Sequence, residues 1–378
     1  MPPQNPFRVA ELVRGAYFTD RAADLAVVLR GMKERSRLLV WGPRRMGKST
    51  LLDAASQRLS RAGGIVIAAD LATTTSLTEA AERLLAAVSK QARWTERLAG
   101  WLAALAPVVT LGADAAGRPR LGVGLESRPR RVEGERELLE RVLDRIDVAA
   151  AEHDGPVVVV LDEFQRLSEL GGEPAEWLLR NRMQAHRHTG YVCAGSKESL
   201  IRELLQPQRA FYKFFELLHV GAIEPGHLAR WIDDRLRGSG VAADGVGAAV
   251  IEAAGPRTQD ILLVARTLWF RTALAGAAGP GDVAAALRDV VISEDAALRR
   301  TWEDLSAVQQ KVVRALAAGA QQLHSVEARE RFLLGASSSV ATAVDALVGR
   351  SILAREDGEL AFESPFTREW VRRQVLER

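Results

Sequence analysis

Gly42-Pro43-Arg44-Arg45-Met46-Gly47-Lys48-Ser49 has the residue types and spacing needed to hold a polyphosphate. Phosphate oxygens bind to inward-pointing main-chain N–H groups only where side chains leave the approach open. Gly42 and Gly47 leave that space and tolerate backbone angles that other residues avoid. The apolar run Leu38-Leu39-Val40-Trp41 precedes the loop, and a helical composition beginning at Thr50-Leu51-Leu52 follows it. The loop therefore leads into a helix N-terminus, where unpaired N–H groups and the helix dipole favour an anion. Lys48 supplies a point charge for the β- and γ-phosphates and so has a binding and a catalytic role. The Ser49 hydroxyl is a candidate ligand for Mg²⁺. Pro43, Arg44, Arg45, Met46 and Thr50 complete the binding segment.

A second group lies more than a hundred residues downstream. Pro156-Val157-Val158-Val159-Val160-Leu161 is a continuous apolar run of the kind that forms a strand covered on both faces. It ends in Asp162-Glu163, at the strand end where open α/β sheets place their ligands. Asp162 is the candidate metal carboxylate, accepting from the hydration shell of Mg²⁺. Glu163 is the candidate group to orient or deprotonate an attacking water. Gly190 to Ser196 reads as a third short buried strand, whose Ser196 could sense the γ-phosphate through a hydrogen bond. Arg257, in Ala254-Gly255-Pro256-Arg257 at the opening of a later helix, could reach back to the nucleotide and report hydrolysis.

These residues require strands and helices to hold them. Thr19 and Asp20 read as a cap before a helix over Ala22 to Met32. Leu51 to Arg61 reads as a helix stopped by Gly63-Gly64, Ile65 to Ala69 as a strand ending at Asp70, and Ser76 to Leu98 as a helix. Val108 to Leu111 and Leu121 to Leu125 flank a Gly-containing turn and predict a hairpin. Arg118, Arg120, Arg128, Arg130 and Arg131 make this region the chain's densest basic cluster, read as a solvated surface or as a nucleic-acid contact. Aromatic stacking platforms do not interleave with it. Gly134 to Glu152 and Trp177 to His188 read as helices, and Leu217 to Ile223 as a fifth strand. His186 and His188 have no metal site's partners nearby and read as surface residues. Cys193 reads as core. From Gly226 to Ser293 the pattern is helical. Trp302 to Arg378 reads as three helices, a hairpin about Asp357-Gly358 and a last helix, the order of a winged helix.

Composition sets the wider limits. A chain of 378 residues, 47% hydrophobic and 26% charged, is long enough for two or three domains of an ordinary soluble type. No apolar run reaches the ~20 residues of a membrane helix. One cysteine excludes a disulfide framework, which fits a cytoplasmic location. The net charge of +3 is weak support for nucleic acid as a partner.

Taken together, these features resemble the archaeal-type P-loop ATPases of the AAA+/STAND assemblage. The resemblance rests on Tyr17-Phe18-Thr19-Asp20-Arg21, the Gly42 to Ser49 loop, the hairpin insertion, Leu161-Asp162-Glu163-Phe164-Gln165, the Gly-Pro-Arg helix opening and the terminal winged helix. It implies an α/β fold with a P-loop NTPase parallel-sheet core, a helical lid and a winged-helix domain. The expected divisions are an entry segment and helix (1–35), a core (36–223, with the hairpin insertion at about 107–127), a lid (224–293) and the winged helix (294–378). The implied cofactors are ATP and Mg²⁺, and the implied activity is ATP hydrolysis driving a conformational switch. A protein partner would meet the lid or the winged helix. The alternatives are an ATP-regulated, DNA-binding initiator-like protein and a non-hydrolysing nucleotide-dependent scaffold. An arginine finger is not evident. Arg202 and Arg209 are the nearest candidates, and without one turnover should be slow.

Overall fold

Five short runs between Arg37 and His219 pair into one parallel sheet. In the computed structural model, residues 4–9, 20–91, 109–113, 119–123, 132–320, 322–356 and 359–377 are described. The sequence expectations at Tyr17-Phe18-Thr19, at Arg118, Arg128, Arg130 and Arg131, and at the Asp357-Gly358 turn lie outside them.

The chain divides into two compact units. The sheet unit, Leu12–Gly221, contains five strands: β1 (Arg37–Trp41), β2 (Ile65–Asp70), β5 (Val157–Asp162), β6 (Thr189–Gly195) and β7 (Glu216–His219). Their order across the sheet is β2-β5-β6-β1-β7, every pair parallel. The numbering skips two short strands, β3 (Val109–Ala113) and β4 (Pro119–Val123), which pair antiparallel as the expected hairpin. Alternate side chains along the strands enter two different cores. Leu39, Val159, Leu161, Tyr191 and Cys193 pack under the helices Leu77–Ser89, Val132–Ala150 and Gln165–Ala185. Leu38, Val40, Val158, Val160, Val192 and Ala194 pack against Ala22–Lys33 and Lys48–Arg61. Helices on both faces are what a parallel sheet requires.

Register places Trp41 opposite Gly195, and Asp70 opposite Asp162. The last residues of β1, β2, β5 and β6 therefore share one edge of the sheet, with β6, which leads into Ser196, between β5 and β1.

Local details differ from the sequence reading in instructive ways. The helix expected from Trp177 falls in the second of two helical stretches that together span Gln165–Ala185; Gly172, whose φ of 61° is not helical, separates them, with Pro174 just beyond the break. The helix at Ala22 has Arg21 at its N-cap and no side-chain cap, with Asp20 at φ 48°. His186 is not a surface residue. It is buried, with Nδ1 2.6 Å from the Tyr191 hydroxyl and Nε2 2.9 Å from Asp144, and these polar partners satisfy it inside the core. Cys193 is buried as expected, and burial raises its thiol pKa well above the usual value.

The second unit comprises Met1–Glu11 and Ala222–Arg378. Glu224 caps its first helix, Pro225–Gly238, by accepting from the Gly226 and His227 N–H groups. The helices Val246–Ala254, Thr258–Thr272 and Pro280–Ser293 follow. Ala307–Ala317, Val326–Phe332 and Ser337–Gly349 then precede the antiparallel pair β8 (Leu353–Glu356) and β9 (Glu359–Phe362) and the helix Pro365–Val371. One apolar cluster runs through all of these, from Leu228 and Val264 to Val344 and Trp370. Phe7 joins it, edge-on to Trp231 at 6.0 Å, and Asn5 Nδ2 donates to the Arg266 carbonyl at 3.1 Å. Among the described residues no single helix is long and apolar enough to cross a membrane.

Candidate functional site

The phosphate loop leaves β1 through Gly42, at φ 147°. A Cβ here would lie 3.1 Å from the Val220 carbonyl carbon and overlap its oxygen, so only glycine fits beside β7. Arg45 (φ 65°) and Gly47 (φ 91°) turn the backbone again before the helix Lys48–Arg61. Gly47 is the N-cap and offers no side-chain acceptor, so side-chain capping does not use up the first N–H groups of that helix. Lys48 is 6% exposed, and its ammonium donates to the carbonyls of Gly42 (2.8 Å) and Pro43 (2.7 Å). Met46 is buried, Arg44 and Arg45 are exposed, and Thr50 is half-buried on the first helical turn.

The loop meets the acidic pair directly. The Ser49 hydroxyl donates to Asp162 Oδ2 at 2.8 Å. Burial pushes the Asp162 carboxyl above its usual value, and the neighbouring charges of Glu163 and Asp70 add to this against the lowering effect of the Ser49 hydrogen bond. Asp162 Oδ1 also accepts from the Glu163 N–H at 3.0 Å. Glu163 sits at φ 54°, unusual for a residue with a side chain and of the kind found at functional sites. The Ser196 hydroxyl lies 2.6 and 2.8 Å from the two Glu163 carboxylate oxygens, and the Gln165 amide donates to one of them. Arg44 Nε, from the loop, donates to Ser196 Oγ at 3.4 Å. Lys48, Ser49, Asp162, Glu163 and Ser196 thus converge at neighbouring strand ends.

Arg257 belongs to the second unit. It is 3% exposed at the N-cap of Thr258–Thr272, with Nη2 3.3 Å from Glu363 and Nη1 3.5 Å from the Phe362 carbonyl. The two arginine-finger candidates are also engaged. Arg209 pairs with the buried Glu176 and with Glu203, and Arg202 lies over the Trp41 ring.

Two residues of the site had no assigned role in the sequence reading. Gln165 is buried two residues beyond Glu163 and holds its carboxylate. Arg21 donates to the carbonyl of Met46 in the loop and to that of Gly221. The sequence offered Gln165 only as part of a motif and Arg21 only as a helix-start residue.

The comparisons with known proteins agree with this geometry. Residues 21–192 match the AAA ATPase domain family. This segment is therefore similar to AAA ATPase domains. No curated protein sequence matches the chain significantly. Among solved structures, the Walker-type ATPase PABY2304 of Pyrococcus abyssi is 16% identical, with 97% of this chain and 99% of that chain covered at a TM-score of 0.64. The Aeropyrum pernix ORC2 protein, solved as ADPNP–ADP complexes, is 14% identical, with 95% of each chain covered and a TM-score of 0.57. The Aeropyrum pernix ORC1 protein, solved in complex with DNA, is 15% identical, with 96% and 95% covered and a TM-score of 0.54. At these identities the likeness is one of fold, and it bears out the P-loop NTPase class. The matched segment contains every residue of the converging site except Ser196, which lies four residues beyond the match, just after β6.

Proposed function

We propose that this chain binds ATP with Mg²⁺ and hydrolyses it, using the presence or loss of the γ-phosphate as a conformational switch. The observation that carries the reading is the contact of Ser49 with Asp162, which joins the phosphate loop to a strand end whose next residue, Glu163, is bonded to Ser196. Hydroxyl and carboxylate oxygens are the donors that Mg²⁺ prefers, and Mg²⁺ keeps several waters in place of a full protein cage. The half-buried, charge-crowded Asp162 fits that group, since a divalent cation offsets what disfavours its ionised form. Ser49 and Asp162 would hold the ion, which when bound would neutralise charge on the phosphates. Lys48 and the main-chain N–H groups from Arg44 to Thr50 bind the phosphate oxygens, and Lys48 adds charge where the transferred group becomes more negative. Glu163 accepts a proton from, or orients, the attacking water.

Ser196 carries a single hydroxyl proton, which is directed at Glu163. A γ-phosphate oxygen that drew this proton away would loosen Glu163 from Ser196, so the reading gives Ser196 a sensing role. Arg257 is buried beside Glu363 and enters the switch only through movement of the second unit. ATP is preferred to GTP here in keeping with the adenine nucleotides of the ORC2 neighbour.

In the second unit we read the three helices and hairpin from Ala307 to Phe362 as a winged helix that docks protein. The ORC1 neighbour with DNA raises the initiator-like reading. However, Ser337–Gly349, the helix that would enter a groove, contains no lysine or arginine, whereas phosphate contacts dominate DNA affinity. The experiment is steady-state ATPase activity and nucleotide binding for the parent and Glu163→Gln. Loss of turnover by about a hundredfold or more with ATP binding kept is expected, as for removal of a general base. Unchanged turnover removes Glu163 from the reaction. Tight binding by a parent without phosphate release would instead favour the non-hydrolysing scaffold.

A further inference from the structure

The Arg21 side chain is about 10% exposed and lies wholly within the sheet unit. Its Nη2 nitrogen donates to two main-chain carbonyls, Met46 at 3.0 Å and Gly221 at 2.6 Å, while Nη1 pairs with Asp24 at 3.1 Å. A guanidinium is planar and its N–H directions are fixed, so two acceptors on one nitrogen are held in a set relation to each other.

The Met46 carbonyl shares its peptide plane with the Gly47 N–H. In a trans peptide these two groups point in opposite directions. Fixing the carbonyl outward on Arg21 therefore fixes the Gly47 N–H on the other side, at the left-handed N-cap that opens the phosphate helix. The second acceptor, Gly221, is the last residue of the sheet unit, and the chain passes into the second unit at Ala222. The start of the loop is tied to the same place. The Val220 N–H donates to the Trp41 carbonyl at 2.8 Å, and Gly42 lies against the Val220 carbonyl without room for a side chain.

Resting on the nucleotide-binding reading above, we propose that Arg21 is a positioning residue with two linked effects. It aims the Gly47 amide at the bound phosphate. Through the same nitrogen it ties the phosphate loop to Gly221, so that filling the loop is felt where the chain leaves the unit. The ligand it responds to is a nucleoside polyphosphate, and the response is ordering of the backbone at residues 220–223.

The test is hydrogen exchange of a peptide covering 218–224, with and without saturating Mg-ATP, together with equilibrium ATP binding. In the parent, ATP slows exchange in this peptide by about fivefold or more, since a tighter tie opens less often. Arg21→Gln, too short to span both carbonyls, binds ATP about tenfold more weakly, the scale of one charge-assisted hydrogen bond. At saturation it loses the slowing. Arg21→Lys keeps the charge and one donor, so it recovers part of the affinity but not the slowing. Should Arg21→Gln fail to fold, Arg21→Lys alone carries the test. A folded Arg21 variant that is saturated with ATP and slows exchange as the parent does overturns the tie. Loss of all ATP binding in both folded variants also overturns it, because Arg21 would then be a direct ligand. A parent that binds no ATP sinks the nucleotide reading itself.

Discussion

The two loop glycines are required for different reasons, and alanine at each separates them. At Gly42 a methyl group meets the Val220 carbonyl, which belongs to backbone held by the Val220–Trp41 hydrogen bond. The left-handed φ of 147° adds strain of about 1–3 kcal/mol for a residue with a side chain. Displacing or breaking the adjacent hydrogen bond costs about 1 kcal/mol more. Gly42→Ala should therefore destabilise the sheet unit by about 2–4 kcal/mol. At about 2–4 °C per kcal/mol for a unit of this size, that lowers its melting temperature by roughly 5–15 °C. At Gly47 an added methyl meets no protein atom within 4 Å, so only the φ of 91° is strained, costing about 1–2 kcal/mol. On the proposed nucleotide-binding reading that methyl would meet a phosphate, so Gly47→Ala should lose ATP affinity by more than its small stability loss implies. Differential scanning fluorimetry without nucleotide and calorimetric ATP titration measure the two effects. Equal melting shifts for both variants, or a Gly42→Ala protein that melts with the parent, would refute the assignment of Gly42 to packing and Gly47 to the ligand.

Two further predictions concern polar groups in the sheet unit. Asp162 has a raised carboxyl pKa, chiefly through burial, so it favours the folded state where it is protonated and opposes it once ionised. Asp162→Asn should raise the melting temperature of nucleotide-free protein at pH 7, by about 2–4 °C for each kcal/mol relieved. The gain should shrink as the pH falls into the ordinary carboxylate range, and a pH-independent gain would count against the charge argument. Tyr191 is fully buried and its pKa is raised by that burial; its hydroxyl lies 2.6 Å from His186 Nδ1, and His186 Nε2 lies 2.9 Å from Asp144. Tyr191→Phe removes the hydroxyl partner of a buried ring nitrogen and should cost about 1–3 kcal/mol in urea unfolding. A variant as stable as its parent would show that this network contributes nothing.

Sequence carried the site as far as its signals were local. The loop from Gly42 to Ser49 and the run ending at Asp162-Glu163 are contiguous patterns. They also required parallel strands, which in turn put Ser196 on the strand between them. Gln165 and Arg21 escaped assignment because nothing in a residue type announces the acceptor it will find. Arg21 is 200 positions from Gly221, and a main-chain carbonyl leaves no mark in the sequence. His186 was misplaced for a related reason, since its burial is decided by Asp144, 42 residues away, and by Tyr191. Gly172, with Pro174 just beyond it, separates the two helical halves of Gln165–Ala185, and the stretch before that break had no helical reading from the sequence. Leu167 on one side of the break and Leu179 and Met183 on the other enter the same core.

The site concentrates features that by themselves oppose folding. A lysine is buried, Asp162 and Glu163 stand next to each other near Asp70, and Arg45 and Glu163 occupy left-handed backbone. Each costs of order 1–3 kcal/mol. They are tolerated at one sheet edge because the strands behind them are consistent with the fold at every level. Val157, Val158 and Val159 are fully buried, alternate between two cores and pair on both sides. A protein selected for stability alone would not collect these costs in one place. Their removal by Asp162→Asn or by relaxing Glu163 should stabilise the fold while disabling the chemistry. That opposition distinguishes a working site from a chance cluster of polar residues at a strand end.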